Sequence, residues 1–575
     1  MTAISKHSQK GVIALATPFI ILLILALTVF LLDGARLYAA KTSMQSIVDA
    51  AAAAAADRGQ ACDSLAAVPT ASDMQSKAEA AAKQSGWDGK GTITVISGVV
   101  AADSSGPDKG VLTFRQTPIL QSNAVAIRYT RPHNISLLLG GLGTINLETR
   151  AVAKKELQAG LAVESYTASL DTTQSALLNL VVGGILQYDG GLALNGVSFD
   201  SLTGVMVNAE DLVANLTGGT TAGDILASDV TAQAVLGALK TTSDATGPAA
   251  AALDAIADAA VGSNTNIALA DIVNVAGEGR IPADAKIPVL SVITSTVFNL
   301  GKTLPDTITV DLADSGVLGS LLSGIAGLNT ATIDLNINEA PGFIFAPARQ
   351  APDGQWYGRA RSADITLTLH LGLDLDLGIA SLTADLPLTL QTGSALVQLV
   401  GARCAAGADA ASGNDIYLLT NVTNSLFALS TDTTATVTAL GITVAKPEIS
   451  ADSGNYGGGG GIQSVGPFNL YNGQPLEQEF GDSGAALSNA VQGLTSSLSI
   501  KPNILPGSGL TGAVNSLLGG LANTVSGLLV PLLDTVGNTI VDPLVKALGL
   551  SLGSAKLTVT SAEQSPVVVL ENVDF

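Results

Sequence analysis

Residues that bind metals and nucleic acids are scarce in this chain of 575 residues. It has 2 Cys, 3 His and 2 Trp, and 13% of its residues are charged, about half of the usual share of roughly 25%. So few Cys and His argue against zinc-finger, iron–sulfur and di-metal chemistry. The 27 Lys and Arg are outnumbered by 48 Asp and Glu, which gives a net charge of −21. Because phosphate contacts need clustered cations, the sequence also argues against nucleic-acid binding.

Long apolar runs without a charge are rare as well, and one of them is both long and uniformly apolar enough to cross a membrane. Residues 11–32 carry no charge, and as a helix they would span a hydrocarbon core of roughly 30 Å. Lys6 and Lys10 precede the run, whereas Asp33 and Arg36 follow it, which favours a cytoplasmic N-terminus and an exported body. The run is longer than the apolar core of a cleaved signal peptide, so we expect an uncleaved anchor.

The helix-favouring composition continues beyond the span to about Arg58 and predicts a helical stalk. Every residue from 50 to 56 is alanine. Such a small-residue surface permits another helix to approach closely, which would make the stalk an oligomer interface. The alternative is that the tract packs on the chain's own domain, and the sequence favours neither.

A set of short motifs surrounds the apolar run. They are Lys10-Gly11, Asp33-Gly34-Ala35-Arg36-Leu37-Tyr38, Met44-Gln45, and Val48-Asp49 before the alanine tract. In this order they resemble the N-terminus of the TadE/TadG-like Flp pilus-assembly family. Pilin-like members have a Glu five residues after the processing Gly, and Ala16 stands there instead. The resemblance therefore favours the TadG-like, non-pilin branch and implies a small α+β domain after the anchor.

Alternation of apolar and polar residues predicts a strand-rich body. Segments at 92–96, 111–114, 124–129 and 145–149 read as strands after a short helix over 75–83. The expected fold class is α+β, with one N-terminal transmembrane helix, a stalk, and a large exported body of antiparallel sheet and amphipathic Leu/Gly-rich helices. The expected parts are 1–58 (anchor and stalk), 59–158 (small α+β domain), 159–410 (β-rich domain) and 411–575 (C-terminal α+β part).

The longest alternating segment lies at 363–377. Its odd positions from Ile365 onward are apolar, and the other face carries polar residues that include His370, Asp374 and Asp376. One buried and one wet face imply an antiparallel sheet. Apolar residues at helical spacing over 510–532 predict a core-packing helix. A second membrane span within 506–533 is the alternative, because no charge occurs there.

Two motifs match known sites, and an ordinary structural role explains each. Residues 481–484 read Gly-Asp-Ser-Gly, as around a trypsin-like nucleophile, but neither His133 nor His370 has the surroundings of its His base. Asp171, Thr173 and Ser175 have the spacing of the Mg²⁺ loop in von Willebrand A domains. For both motifs we expect a helix N-cap instead.

Two further pairs of residues are weighed in the same way. Asp374 and Asp376 share a strand face, where a wet surface is the simple explanation. Cys62 and Cys404 both follow the anchor and would share an oxidising compartment, but the sequence leaves open whether they form a disulfide. We predict no catalytic residue, no cofactor and no metal.

These features predict a structural protein and not an enzyme. The resemblance implies a component of a Flp-type (tight adherence) pilus or related secretion machine in a bacterial inner membrane. Its partners would be the lipid bilayer and other pilus-assembly or secretion proteins. A surface adhesin or carbohydrate-binding protein that uses the long sheet is one alternative. An exported lipid-groove protein is another, because Leu/Gly helices over a long sheet could enclose an apolar trough.

Overall fold

A computed structural model describes most of the chain. The described residues are 10–59, 70–102, 111–136, 143–163, 170, 172–186, 197–219, 221–261, 265–277, 279–304, 307–312, 328–376, 380–404, 415–439, 442–469, 475–481, 483–501, 503, 531, 533, 535–550, 552–565, 567–570 and 573–574. The fold class is α+β, as predicted. The chain forms two compact units. They are Met1–Glu156 with Pro352–Gly354 and Gln564–Phe575, and Leu157–Ala351 with Gln355–Glu563. The division into four parts stays a prediction.

The first unit packs two helices on a six-stranded sheet. Its elements are α1 (Lys10–Gly59), α2 (Ala71–Gln84), β1 (Thr92–Ala102), β2 (Leu112–Gln116), a 3-10 turn (Ile119–Gln121), β3 (Ala124–Asn134), β4 (Thr144–Lys154), β27 (Val568–Leu570) and β28 (Val573–Asp574). The strand order is β27-β4-β3-β1-β2-β28. The predicted short helix and all four predicted strands are confirmed here.

Local capping fixes the start of α2. The Thr70 hydroxyl accepts a hydrogen bond from the Asp73 amide at 3.2 Å, and the Asp73 carboxylate accepts one from the Thr70 amide at 3.1 Å. This reciprocal capping box satisfies backbone donors that a helix start leaves free. The helix therefore begins at Ala71, and it buries Met74, Ala78 and Ala82.

Strand β1 passes from one partner strand to the other at Gly98. This residue pairs with Ala124 of β3 and with Gln116 of β2, so β1 changes partner here. A Cβ atom at Gly98 would lie 2.4 Å from the Phe114 ring and 2.5 Å from the Arg115 carbonyl oxygen. Only glycine permits so close an approach of the neighbouring strand.

The C-terminus joins both edges of this sheet. β27 pairs with β4 at one edge and β28 with β2 at the other. Three Cα–Cα steps lead from Leu570 to Val573 and reach at most about 11 Å, whereas the edges of a flat six-stranded sheet lie about 24 Å apart. The sheet must therefore curl. Its concave side holds a small core of Val100, Phe114, Ala124, Ala126 and Val152, on which Leu570 and Val573 pack.

The second unit begins with a helical region. Its elements are α3 (Thr172–Ile185), a 3-10 turn (Phe199–Leu202), β6 (Met206–Asn208), α4 (Ala209–Thr217), α5 (Ala222–Leu226), β7 (Asp229–Thr231), α6 (Ala232–Thr242), α7 (Pro248–Ala259), β8 (Asn266–Ala268), α8 (Leu269–Ile272), β9 (Val273–Val275), β10 (Lys286–Pro288) and α9 (Val289–Lys302). α9 lies at the centre, with every residue from Val289 to Gly301 buried. Four of its buried polar side chains, those of Thr294, Ser295, Thr296 and Asn299, donate hydrogen bonds to backbone carbonyl oxygens, which offsets the cost of burying them.

The described strands of the second unit form five sheets. The nine-stranded sheet contains β11 (Ile308–Asp311), β12 (Leu328–Glu339), β15 (Asp364–Asp376), β16 (Ala380–Thr392), β19 (Leu426–Thr434), β20 (Thr436–Ala439), β21 (Ile442–Ala445), β22 (Glu448–Gly457) and β25 (Ser499–Lys501). The five-stranded sheet orders β24 (Leu476–Phe480), β26 (Ala555–Gln564), β5 (Leu157–Val163), β13 (Phe343–Pro347) and β9. The four-stranded sheet orders β14 (Arg359–Arg361), β17 (Leu396–Cys404), β18 (Asp415–Thr423) and β23 (Gly460–Asn469), and β6 pairs with β10 and β7 with β8.

The nine-stranded sheet contains the predicted long strand, β15. It pairs antiparallel with β12 and β16 over most of its length. Leu367, Leu369 and Leu371 are fully buried in the large core of the unit, and protein atoms cover this face along these residues. Helices Ser483–Ser497 and Asp542–Ala547 belong to the same unit. The predicted helix over 510–532, with its membrane-span alternative, lies outside the described residues.

Candidate functional site

The first part of α1 presents an apolar surface on all sides. The large apolar side chains from Phe19 to Leu32 are exposed. Among the described residues, α1 is the one helix long and apolar enough to cross a membrane. The Thr28 hydroxyl donates to the Ile24 carbonyl oxygen at 2.7 Å, so its polar group is satisfied within the helix. This arrangement fits a membrane-anchored protein.

The second part of α1 is built into the first unit. Val48, Ala51, Ala52 and Ala55 are fully buried in a core shared with α2, β3 and β4. Small side chains let the helix lie close to the sheet, in the same way that they let two helices approach. The tract therefore packs on the chain's own domain. Of the two alternatives that the sequence left open, Ala51 therefore follows the second, because its side chain is already covered within its own unit.

Side-chain amides fasten both helices to the sheet. Gln45 of α1 donates to the Arg150 carbonyl oxygen at 2.9 Å. Gln75 of α2 donates to the Ile93 carbonyl oxygen at 3.1 Å and accepts from the Val95 amide at 3.3 Å. Gln75 thus bonds to β1 as a neighbouring strand would, along the part of β1 that β2 does not pair.

Charged groups gather where α1 leaves the apolar run. The Arg36 guanidinium donates to the carbonyl oxygen of Asn134, the last residue of β3. Arg131 pairs with Asp88 at 2.9 Å. A hydrogen bond from the Lys90 amide, together with the Arg131 charge, lowers the pKa of Asp88. Sequence reasoning missed this junction, because Arg36 and Asn134 are remote in the chain.

His133 lies at the same junction. Its Nε2 is buried without a hydrogen-bond partner among the described residues. Burial lowers the pKa of His133, and the charges of Arg131 and Arg36 lower it further. All three effects favour the neutral imidazole. The arrangement therefore disfavours a charged His133 in the folded unit.

The exposed face of the nine-stranded sheet is polar. His370 lies between two carboxylates, with Nε2 3.3 Å from Asp334 and Nδ1 3.4 Å from Asp385. Hydroxyl groups continue this surface, with the Thr368 and Thr389 oxygens 3.3 Å apart. Short side chains that donate and accept hydrogen bonds can bind polar ligands such as sugars. Asp374 is exposed, whereas the side chain of Asp376 lies outside the described residues.

The described residues of the magnesium-type motif, Thr173 and Ser175, lie in different surroundings. Ser175 is buried on α3, and its hydroxyl accepts a hydrogen bond from the Phe199 amide at 2.9 Å. Thr173 is half-buried in the first turn of the same helix. Asp171 lies outside the described residues. Where described, the motif thus holds the Phe199 turn against α3.

The other motif residues are only partly described. A helix begins at Ser483, while Asp482 and the Ser483 side chain lie outside the described residues. Cys62 lies outside them as well, and of Cys404 only the backbone is described, so their pairing stays a prediction. In the described ranges, no three His, Cys, Asp or Glu side chains are grouped so that they could hold a metal ion.

Comparison with protein-family models matches three parts of the chain. Residues 11–58 match a Flp pilus-assembly TadE/G-like family, and residues 51–153 match a Tad-like Flp pilus-assembly family. Residues 174–298 match a domain of unknown function, DUF8293. Neither a curated protein nor a solved structure matches this chain. The first two matches cover the anchor and the sheet on which it packs, and they confirm the resemblance of the N-terminal motifs. Over residues 11–153 the chain is a TadG-like member of the TadE/TadG-like Flp pilus-assembly family.

Proposed function

We propose that this protein is a membrane-anchored structural component in the assembly of a Flp-type (tight adherence) pilus or a related secretion machine. One observation carries the proposal: the apolar helix and the first sheet form a single packed module, and this module coincides with the two pilus-assembly matches over residues 11–153. It acts by binding and holding partners and not by chemistry.

The proposed location is a bacterial inner membrane, with a single pass. Lys6 and Lys10 precede the apolar run and Asp33 follows it, so the positive-inside rule supports a cytoplasmic N-terminus and a body outside the cytoplasm. Ala16 replaces the Glu of pilin-like members. The chain is therefore proposed to keep its anchor and to stay in the membrane, without joining the fibre.

The packing of α1 suggests how the protein would work. Because one helix contributes both the span and part of the domain core, a force applied to the first unit reaches the membrane through continuous helix. A flexible linker would transmit a pulling force only after it had been extended, and it would not fix the orientation of the unit. The partners are proposed to be other pilus-assembly or secretion proteins that contact the exported body.

Genetic replacement tests the proposal. The gene is deleted in a bacterium that encodes this chain, and it is restored as the full chain or with residues 11–32 replaced by a cleavable signal sequence that releases the body. We expect deletion to abolish Flp pili and adherence, the full chain to restore both, and the released body to restore neither. Normal pili after deletion would overturn the assembly role, and full rescue by the released body would overturn the anchoring role.

The polar sheet face favours one second candidate, a surface adhesin or carbohydrate-binding protein. The row formed by Asp334, Thr368 and Thr389 supplies adjacent carboxylate and hydroxyl groups. A glycan array probed with the full chain in detergent tests this candidate. Binding that is lost in Thr368→Val and retained in the unsubstituted chain would support it.

A further inference from the structure

One end of the first unit lies beside the place where α1 emerges from its apolar run. Arg36 is four residues beyond Leu32, about 6 Å along a helix, and its guanidinium bonds to the carbonyl oxygen of Asn134. The turn between β3 and β4 begins directly after Asn134. The Ile135 amide donates to the Gly143 carbonyl oxygen at 3.1 Å, which holds the two sides of the turn together. We call residues 134–136 and 143–145 the hairpin end.

The direction of the strands places the hairpin end on the side of the apolar run. Gln45 bonds to Arg150 of β4, and Arg36 bonds to Asn134, which pairs with Thr144 at the start of β4. α1 and β4 therefore run in the same direction. The apolar run precedes Arg36 in α1, and the hairpin end lies at the start of β4. Both therefore lie towards the same side of the first unit.

The hairpin end exposes two isoleucines and carries no charge. Ile135 is 37% exposed and Ile145 is 45% exposed, and Tyr38 on the neighbouring turn of α1 is 75% exposed. No Asp, Glu, Lys or Arg occurs between Arg131 and Glu148. Apolar and aromatic side chains next to a span are typical of groups that lie in the membrane interface.

We propose that the hairpin end contacts the surface of the membrane that α1 crosses, with Ile135 and Ile145 in the interfacial layer of the leaflet. We assign lipid as the partner of the two exposed isoleucines. The reason is that Arg36, which bonds to the hairpin end, lies four residues beyond the exposed apolar run of α1. Helix and hairpin end then attach the first unit at two points, which fixes its orientation to the bilayer. The inference rests on the proposed membrane anchoring of α1.

Tryptophan quenching by lipids with brominated acyl chains tests the contact. The full chain is placed in lipid nanodiscs at one copy per disc, with Ile145→Trp as the test variant. Val568→Trp is the matched control, because Val568 is also 45% exposed and lies opposite Lys154, about 30 Å further along β4 than Ile145. Leu25→Trp in the apolar run reports on the anchor itself. The emission of native Trp87 and Trp356 is subtracted with the unsubstituted chain.

We expect Ile145→Trp and Leu25→Trp to lose emission in brominated lipid and Val568→Trp to keep it. Quenching at Leu25 with none at Ile145 would overturn the hairpin contact and leave the anchor intact. Equal quenching at Ile145 and Val568 would also overturn it. No quenching at Leu25 would overturn the anchoring itself. Should Ile145→Trp fail to fold, Ile135→Trp replaces it with Val111→Trp as the control, since these two positions are 37% and 36% exposed.

Discussion

The side-chain amide of Asn123 bonds to both backbone polar groups of Val100. Its Oδ1 accepts from the Val100 amide at 2.9 Å, and its Nδ2 lies 3.3 Å from the Val100 carbonyl oxygen. The backbone pairing of β1 with β3 ends at Gly98 and Ala124. The side chain of Asn123 therefore extends the β1–β3 hydrogen bonding to Val100, whose backbone would otherwise have no partner on that side.

Asn123→Ala tests this bond. The substitution leaves buried backbone groups without a partner, so we expect the free energy of unfolding of the first unit to fall by about 1–3 kcal/mol. Hydrogen exchange of the β1 and β3 amides measures the loss in the full chain. Asn146→Ala, at an exposed position of β4, is the control and should change exchange little. Similar effects of the two substitutions would contradict the role of Asn123.

Ala51→Leu tests how the alanine tract is used. Ala51 is fully buried in its own unit, so extra methylene groups should overpack this core and destabilise the unit by about 1–3 kcal/mol. Ala39→Leu, at an exposed position of α1, should leave stability unchanged. Protease resistance of the first unit in detergent provides the readout. Unchanged resistance in Ala51→Leu would mean that the tract is free to bind another helix.

Local sequence predicted local elements well, and it failed where remote segments meet. β15 follows from strict alternation, because one face of the strand enters the core at every second residue. The sequence analysis did not predict four places where a short strand leads directly into a helix. At each of them, a branched residue of the strand and the first residue of the helix are both buried. The pairs are Val207 and Ala209, Val230 and Ala232, Ile267 and Leu269, and Ile287 and Val289. Their spacing is irregular, so they give no fixed period to detect.

The candidate site shows the same limit. The apolar run of α1 is visible in the sequence because a membrane span needs length and composition only. The contact of Arg36 with Asn134 depends on how α1 lies along β4, and no local pattern contains that information. The closure of the sheet by Leu570 was equally hidden, since β27 joins strands that lie more than 400 residues earlier in the chain.

Leu570→Asp tests the closure of the curled sheet. Leu570 packs on the concave core beside Phe114 and Val152, so a carboxylate there should destabilise the first unit by about 1–3 kcal/mol. Val568→Asp is the control on the same strand, because Val568 is exposed. Hydrogen exchange in β2 and β4, at the two edges, should rise in the first variant only. An equal rise in both would indicate that charge on β27, and not loss of core packing, is responsible.

Ser175→Ala distinguishes a structural role from a metal site. Loss of the hydroxyl leaves the Phe199 amide without its bond, so we expect a loss of about 1–3 kcal/mol in the stability of the second unit. Thr173→Ala, on the same helix, should have a smaller effect. Thermal unfolding is recorded with Mg²⁺ and with a chelator. We expect Mg²⁺ to leave all three transitions in place, and a rise with Mg²⁺ that Ser175→Ala abolishes would restore the metal hypothesis.

His133 makes the first unit sensitive to acid. Burial, Arg131 and Arg36 lower the pKa of His133 in the folded unit, whereas the unfolded chain titrates near the ordinary value of about 6.5. Below that pH the unfolded state binds more protons than the folded state, so the free energy of unfolding falls as the pH falls, and the decrease stops below the folded pKa.

His133→Gln removes this contribution and leaves all other groups in place. We therefore expect the stability of the unsubstituted chain relative to His133→Gln to decrease from pH 7.5 to pH 5. Exchange of β3 and β4 amides, compared between the two chains at each pH, cancels the intrinsic effect of pH on exchange. A constant difference across this range would mean that His133 takes up a proton in the folded unit as readily as in the unfolded chain, and that Arg36 and Arg131 do not hold it neutral.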